Sequence, residues 1–473
     1  MENIVTKAFV IVHRWLGVVL CLFFAMWFFT GMVMIYVPFP SLSEAERLKY
    51  LEPINTAAID VAPSEAISKC GGNRASQLRV ISLETRPTYV CVNNKNQLHG
   101  AYADVPGKVA VLSPERVKTH ASSRIDASFL VSEPVEYDQW IVHQKFDPYR
   151  PFYRLELDDQ EGTHLYISSQ TGEILQKTSA HARFWNYLGA VAHWIYPTVL
   201  RKHWAWWDKT VWWLSLFAII NVLLGIYLGV LRLVKVRRSG QKLLSPFRGW
   251  MRWHHILGLI SGLFVLSWIF SGWLSMDHGR LFSMPDATVE QKAQVQGLSM
   301  SDMGTHIKKE DLRGYRNTHE IVFHAFGGAA FTTAKNIDGM VSTQSISPSE
   351  IARVIDIAWP KSDVANYGAI RSPDTYSDLR EGQLPAGTIR VELNDTDSTW
   401  VHVDAYSGEI LSVMDRSRRL YRWLFNGLHS LDLPGFVEQR PLWDFVMLLL
   451  LLIGFVGSLT GVVLGSRRLF RSL

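Results

Sequence analysis

Charge is scarce in this chain: Asp, Glu, Lys and Arg make up 19% of its 473 residues, and the formal net charge is only +5. That excess is mostly one short basic stretch described below, so no nucleic-acid partner is expected. Cysteine is nearly absent, at three residues, and no C-x-x-C occurs. The sequence also lacks a phosphate-cradling Gly loop, H-E-x-x-H, a Ser nucleophile elbow, and the nicotinamide and flavin fingerprints. These absences exclude the common hydrolase sites. If the chain moves electrons, it must receive them from another carrier.

What is abundant is apolar and aromatic surface: 48% hydrophobic residues and 18 Trp, a composition that points to a membrane protein. Four uncharged runs, 15–37, 211–231, 256–276 and 445–466, are long enough at about 1.5 Å per residue to cross about 30 Å of hydrocarbon. The first is too long for a signal peptide and has no small-residue cleavage site, so it is expected to remain in the mature protein. Between the second and third runs lie Arg232, Lys235, Arg237, Arg238, Lys242, Arg248 and Arg252, with no acid among them. The positive-inside rule makes this loop cytoplasmic. The expected organisation is span 8–37, outer segment 38–209, span 210–232, cytoplasmic loop 233–253, span 254–276, outer segment 277–442, span 443–466 and cytoplasmic tail 467–473. Both termini then lie in the cytoplasm of a bacterium, and both long segments lie in the periplasm.

The chain also reads as an internal duplication. His13, Leu16, Gly17, Trp27 and Gly31 recur as His254, Leu257, Gly258, Trp268 and Gly272. A second register aligns Arg154, Glu156 and Leu157 with Arg390, Glu392 and Leu393, the run 172–175 with 408–411, His193 with His429, and Trp207-Asp208 with Trp443-Asp444. Strand-length segments at 152–157, 164–168 and 173–177, with copies at 388–393, 400–404 and 409–414, are joined by Gly turns that suit antiparallel connections. Helix starts are read at Pro63 and Pro348. The fold class is therefore a multi-pass α-helical membrane protein: four transmembrane helices from an internal duplication, with two periplasmic α+β domains. Cys70 and Cys91 share the first outer segment, whose compartment permits a disulfide, although two unpaired core residues would serve equally.

Of the 16 His, those at 99, 120, 143, 164, 181, 306, 319, 324 and 402 have no partner in the other copy and read as surface or hydrogen-bonded residues. Four differ. His13 and His254 lie about one turn inside the cytoplasmic ends of the first and third spans, and His193 and His429 precede the second and fourth spans on the outer side. Ionisable groups at membrane depth are costly and usually functional, and neutral imidazole is a common haem ligand. A twofold axis along the membrane normal would set each pair face to face, as in a six-coordinate haem b. Gly17 and Gly31, like Gly258 and Gly272, project from nearly one helical face, flat enough for a porphyrin. The competing reading makes His13 and His254 interfacial anchors and the glycines packing residues. His255 adjoins His254 and could ligate instead, although the register points to His254. Arg14, Arg183 and Arg419 suit haem propionates, or lipid headgroups. His203 and His278 border the membrane as interfacial residues, and the tryptophans form an aromatic belt.

H-R-W-L-G at the first span, A-H-W-I-Y before the second, W-H-H-I-L-G at the third, L-H-S-L-D before the fourth and the T-G-E-I-L strand together resemble the PepSY-associated transmembrane family. The resemblance covers nearly the whole chain. It implies paired PepSY-like outer domains and an activity like that of inner-membrane reductases of iron siderophores, with two b-type haems between four helices. His13, His193, His254 or His255, and His429 would hold the iron. Some members carry a flavodoxin-like or flavin reductase part, which these 473 residues do not include, so quinol or a separate cytoplasmic reductase is the expected electron donor. The expected partners are membrane lipid and a ferric siderophore. Copper, quinone or an oxidised protein are alternative acceptors. The rival from another class is a non-redox module in which the outer domains bind or inhibit a periplasmic protease.

Overall fold

The computed structural model describes residues 4–70, 72, 75–241, 243–276, 287–340, 345–372, 374–379 and 382–472. Four long helices carry the apolar runs: Ile4–Met34, Trp204–Arg238, Gly249–Leu274 and Leu442–Ser472, here called the first to fourth spans. All four are long and apolar enough to cross a membrane. They outrun the hydrophobic stretches because a helix continues through basic residues whose charged ends reach for water, as at Arg237 and Arg238. At their sheet-side ends the first span stops at Met34 rather than at 37, and the third at Leu274 rather than at 276. Pro38 follows Val37, and a proline disfavours helical geometry in the residue before it. The first span packs against the second and the fourth, and so does the third, which sets the first and third across the bundle from each other.

The long segments each build a four-stranded antiparallel sheet. One has the order β4-β5-β6-β7 (Phe129–Val131, Phe152–Leu157, His164–Ser168, Ile174–Thr178). The other is β11-β14-β15-β16 (Val364–Ala369, Thr388–Leu393, Trp400–Asp404, Ile410–Met414). Even the irregularities correspond, with register shifts at Tyr166/Ile167 and at His402/Val403. A helix starts at Pro63 and another at Pro348, as read from sequence. The second segment also holds a short antiparallel pair, β12 (Asp378–Leu379) with β13 (Gly382–Gln383).

The segments are not separate bodies. Strands β1 (Ala75–Leu83), β2 (Arg86–Asn93) and β3 (Leu98–Tyr102) of the first merge with β8 (Glu320–Phe326), β9 (Ala329–Asn336) and β10 (Gly339–Met340) of the second in one six-stranded sheet, β10-β9-β8-β1-β2-β3. The seam is the antiparallel pair β1/β8, with Val80 opposite Ile321. Each strand covers an edge the other would expose. The core beneath it is shared, with Leu78, Val80 and Tyr89 packed with Met303, Leu312 and Ile321. Cys70, capping the helix Pro63–Lys69, is disulfide-bonded to Cys91 on β2.

A buried ionic quartet closes the seam. Arg79 on β1 donates to Glu173 at 2.6 Å and to Glu320 at 2.9 Å, and Arg47 donates to the same carboxylates at 3.1 and 2.6 Å. Two positive and two negative charges thus compensate each other where isolated charges would be very costly. Burial works against the Glu320 carboxylate, but Arg79 and Arg47 outweigh it and hold the group down at about 2, against an ordinary 4.5. A depressed carboxylate contributes stability that is complete above its unfolded value and is lost as pH falls through the folded one. The thermal midpoint of the purified protein is therefore expected to drop as pH falls from 4.5 toward about 2. Glu320→Gln should flatten that slope and, at neutral pH, cost about 3 kcal/mol or more by leaving an arginine uncompensated. An unchanged acid slope in the variant would refute this.

Candidate functional site: two histidine pairs

The histidines set apart by the two registers meet in two pairs. His13 of the first span faces His254 of the third, with ring centroids 6.4 Å apart and planes at 36°. His193, at the end of the short helix Ala190–His193, faces His429 with centroids 6.2 Å apart and planes at 77°. The first pair lies toward the basic loop and the second toward the sheets. His13 and Thr30, which touches His193, are separated by about 25 Å along the first span. Buried Phe24, Phe28 and Trp268 fill the bundle between the levels.

Each imidazole is oriented through Nδ1. His13 Nδ1–H donates to the main-chain carbonyl of Asn221, 3.0 Å away, an atom that can only accept. His193 Nδ1 lies 2.8 Å from Thr30 Oγ1, whose own proton goes to the Trp27 carbonyl, so the hydroxyl accepts from the ring. Ser271 plays the same part for His429 at 3.0 Å, with its proton on the Trp268 carbonyl. Thr460 does so for His254 at 3.0 Å, with its proton on the Gly457 carbonyl. A proton on every Nδ1 leaves every Nε2 with a lone pair, and fixing the tautomer through the other ring nitrogen is how proteins prepare histidines for a metal. None of the four Nε2 atoms has a hydrogen-bond partner among the described residues.

Glycine makes room for each ring. A Cβ on Gly225 would lie 2.8 Å from His13 Cε1, and one on Gly461 3.6 Å from His254 Cε1. On Gly31 it would meet His193 Cε1 at 3.9 Å, and on Gly272 His429 Cε1 at 3.6 Å. Gly31 and Gly272 were anticipated from sequence, and Gly17 and Gly258 line the cavity of the loop-side pair. Gly225 and Gly461 were missed. Their signal was available: Gly225 and Gly229 form G-x-x-x-G in the second span, and Gly461 and Gly465 repeat it in the fourth.

The chain bends sharply after each sheet-side histidine. Ile195 and Leu431, each two residues further on, have φ of 51° and 47°. Left-handed backbone is costly for bulky side chains and persists where its surroundings enforce it. Here the Trp207 indole donates to the Trp194 carbonyl at 3.0 Å and the Trp443 indole to the Leu431 carbonyl at 3.3 Å. This gives the paired tryptophans a structural task beyond an aromatic belt. Before His429 the helix widens to π geometry over Trp423–Gly427, and Phe425 stacks on the imidazole with centroids 5.4 Å apart.

The other candidates fall in different places. His255 is buried and lines the loop-side cavity, but its Nε2 bonds to the Gly229 carbonyl at 3.0 Å, so His254 is the residue that faces His13. Its Nδ1, like Asn221 Oδ1, is a buried polar atom without a hydrogen-bond partner among the described residues. Arg14 lines the same cavity. Arg183 and Arg419 do not: Arg183 donates to the carbonyls of Gly162 and Thr178, and Arg419 to those of Met414 and Asp397. Each ties a sheet to the helix that leads toward a histidine. His203 is exposed at the start of the second span, and His278 lies outside the described residues.

The spacing of both pairs matches that of two imidazoles on one haem iron. Imidazoles bound on opposite faces of one iron, each through a metal–nitrogen bond of about 2.0 Å and with a ring centre about 1.15 Å behind Nε2, hold their centroids about 6.3 Å apart. Rotation about those bonds leaves this spacing unchanged, so both interplanar angles are compatible. The loop-side pair borders a cavity of about 630 Å³ between the four spans. Among the described residues no group of three or more His, Cys, Asp or Glu gathers as a metal site, so a protein pair would need a group that brings its remaining ligands.

Fold and site together define a class: a four-span membrane protein with α+β segments outside the bundle and a facing histidine pair at each of two levels. Residues 10–310 match the model of the PepSY-associated TM region. The chain belongs to that family. No curated protein matches it.

The hydroxyl acceptors give a test independent of any bound group. Thr30→Val should destabilise the purified protein by about 1–3 kcal/mol in a denaturation series, because it strands the buried Nδ1–H of His193, whereas Thr30→Ser should restore most of the loss. Equal stability of the Val and Ser variants would remove the assigned hydrogen bond.

Proposed function

We propose that this protein is a dihaem b reductase of the bacterial inner membrane, passing electrons to a periplasmic acceptor, best a ferric siderophore. The observation that carries the reading is the spacing of the two pairs, 6.4 and 6.2 Å between centroids, with all four Nδ1 atoms committed to donation and no partner for any Nε2 among the described residues. His13 and His254 would hold one haem, and His193 and His429 the other. When bound, such a group exchanges single electrons without taking substrate at its metal. The chain's residues orient the imidazoles, keep water from the space between levels, and hold the levels at a fixed separation.

In this reading the two halves arose by duplication, and each long segment carries a PepSY-like domain in the periplasm. The basic loop and both termini face the cytoplasm. Quinol or a cytoplasmic reductase supplies the electron near the loop-side pair. Hard oxygen ligands such as hydroxamates prefer ferric iron, so one added electron converts the chelated substrate to the ferrous state and loosens its hold. No acid or base catalyst is required.

The purified membrane protein should be red, with b-type bands after dithionite reduction and about two haems per chain under this ligation. His193→Ala or His429→Ala should lose the sheet-side haem and keep the other, and His13→Ala or His254→Ala should do the reverse. His255→Ala should keep both. A colourless preparation from haem-replete cells would overturn the reading in favour of a non-redox binding module. Anaerobic mixing of the reduced protein with ferric hydroxamates, cupric ion and a quinone then identifies the acceptor by the rate of reoxidation.

A further inference from the structure

The loop-side cavity has a charge pattern that the histidines do not explain. Arg14, Arg232 and Arg468 all line it, and no Asp or Glu does among the described residues. Arg232 and Arg468 are equivalent positions of the two halves, each seven residues beyond the glycine that faces a histidine, Gly225 or Gly461. Seven residues are nearly two helical turns, so each arginine stands on the same helix face as its glycine, about 10 Å nearer the basic loop. Arg14 follows His13 directly, and its equivalent is His255. The pattern is therefore a pair of histidines in the bundle, a pair of arginines, Arg232 and Arg468, about two turns nearer the basic loop, and Arg14 beside His13, all on the same cavity.

Guanidinium binds carboxylate through paired, charge-assisted hydrogen bonds. We propose that Arg232 and Arg468, with Arg14, form a carboxylate-binding rim that holds the two propionates of the loop-side haem, so that this haem sits with its carboxylate edge toward the basic loop. The inference rests on the haem reading above and gives that haem a direction. Arg183 and Arg419, the other arginines that sequence suited to propionates, stand at the sheets, away from this cavity. A lipid phosphate at the membrane surface presents similar anionic oxygens, and the test separates the two sources.

Wild type, R232Q/R468Q and R232K/R468K are purified, depleted of haem and titrated with haem b or with its dimethyl ester, which lacks the carboxylates; the two haems are distinguished by their reduced spectra. In R232Q/R468Q the affinity of the loop-side haem should fall roughly tenfold or more. The sheet-side haem should bind as in wild type, which also reports an intact fold, and the lysine variant should recover part of the loss. The dimethyl ester should bind wild type and R232Q/R468Q alike. Unchanged affinity for haem b in R232Q/R468Q overturns the rim while leaving the dihaem reading intact. An equal loss for haem and ester also overturns it, and assigns the arginines to lipid phosphate or packing. A wild-type protein that takes up no haem at either level overturns both proposals.

Discussion

Each of four imidazoles commits its Nδ1 proton to an acceptor fixed on a neighbouring piece of backbone, and the geometry of the bundle follows from that constraint. A histidine free to rotate inside an apolar bundle would turn both nitrogens toward whatever polar atom it could reach. Here Asn221, Thr30, Ser271 and Thr460 remove that freedom. The three hydroxyls can accept because their own protons are already directed to carbonyls three residues back on their helices. The glycines opposite the rings follow from the same requirement, since a ring held in one orientation needs a neighbour that leaves it space.

Both members of each pair come from different halves of the chain, so the halves must be held in register. The bundle alone does this weakly, because helices in lipid gain little from apolar contact with one another. The six-stranded sheet supplies what the bundle lacks. Hydrogen bonding between β1 and β8 is directional, and the Arg47, Arg79, Glu173 and Glu320 quartet allows little sliding without separating buried charges. Rigidity outside the membrane thus supports precision within it.

The spans, the six strands read at 152–177 and 388–414, and the histidines were legible because each leaves a local mark: an uncharged run, an alternation ended by Gly, or an ionisable residue that recurs at the same place. Helix ends were less legible, because hydropathy measures what lies in lipid and a helix does not stop there. The seam between β1 and β8 left no mark. It joins residues some 240 positions apart, and nothing in either stretch names the other. The acceptor for His13 was invisible for a different reason: it is a main-chain carbonyl, which every residue has. Arg183 and Arg419 recur in both halves, and each stands at a sheet-to-helix junction where it donates to backbone carbonyls.

The seam has a further consequence for how the chain is made. Strand β1 emerges early, yet its partner at Glu320–Phe326 is synthesised only after two more spans and the loop between them. At the usual rate of translation that interval is about 12 to 50 s. Throughout it, one edge of β1 stands bare and Arg79 has only half of its final counter-charge, so the nascent protein passes through a stage in which its most sharply specified contact is also its most adhesive surface.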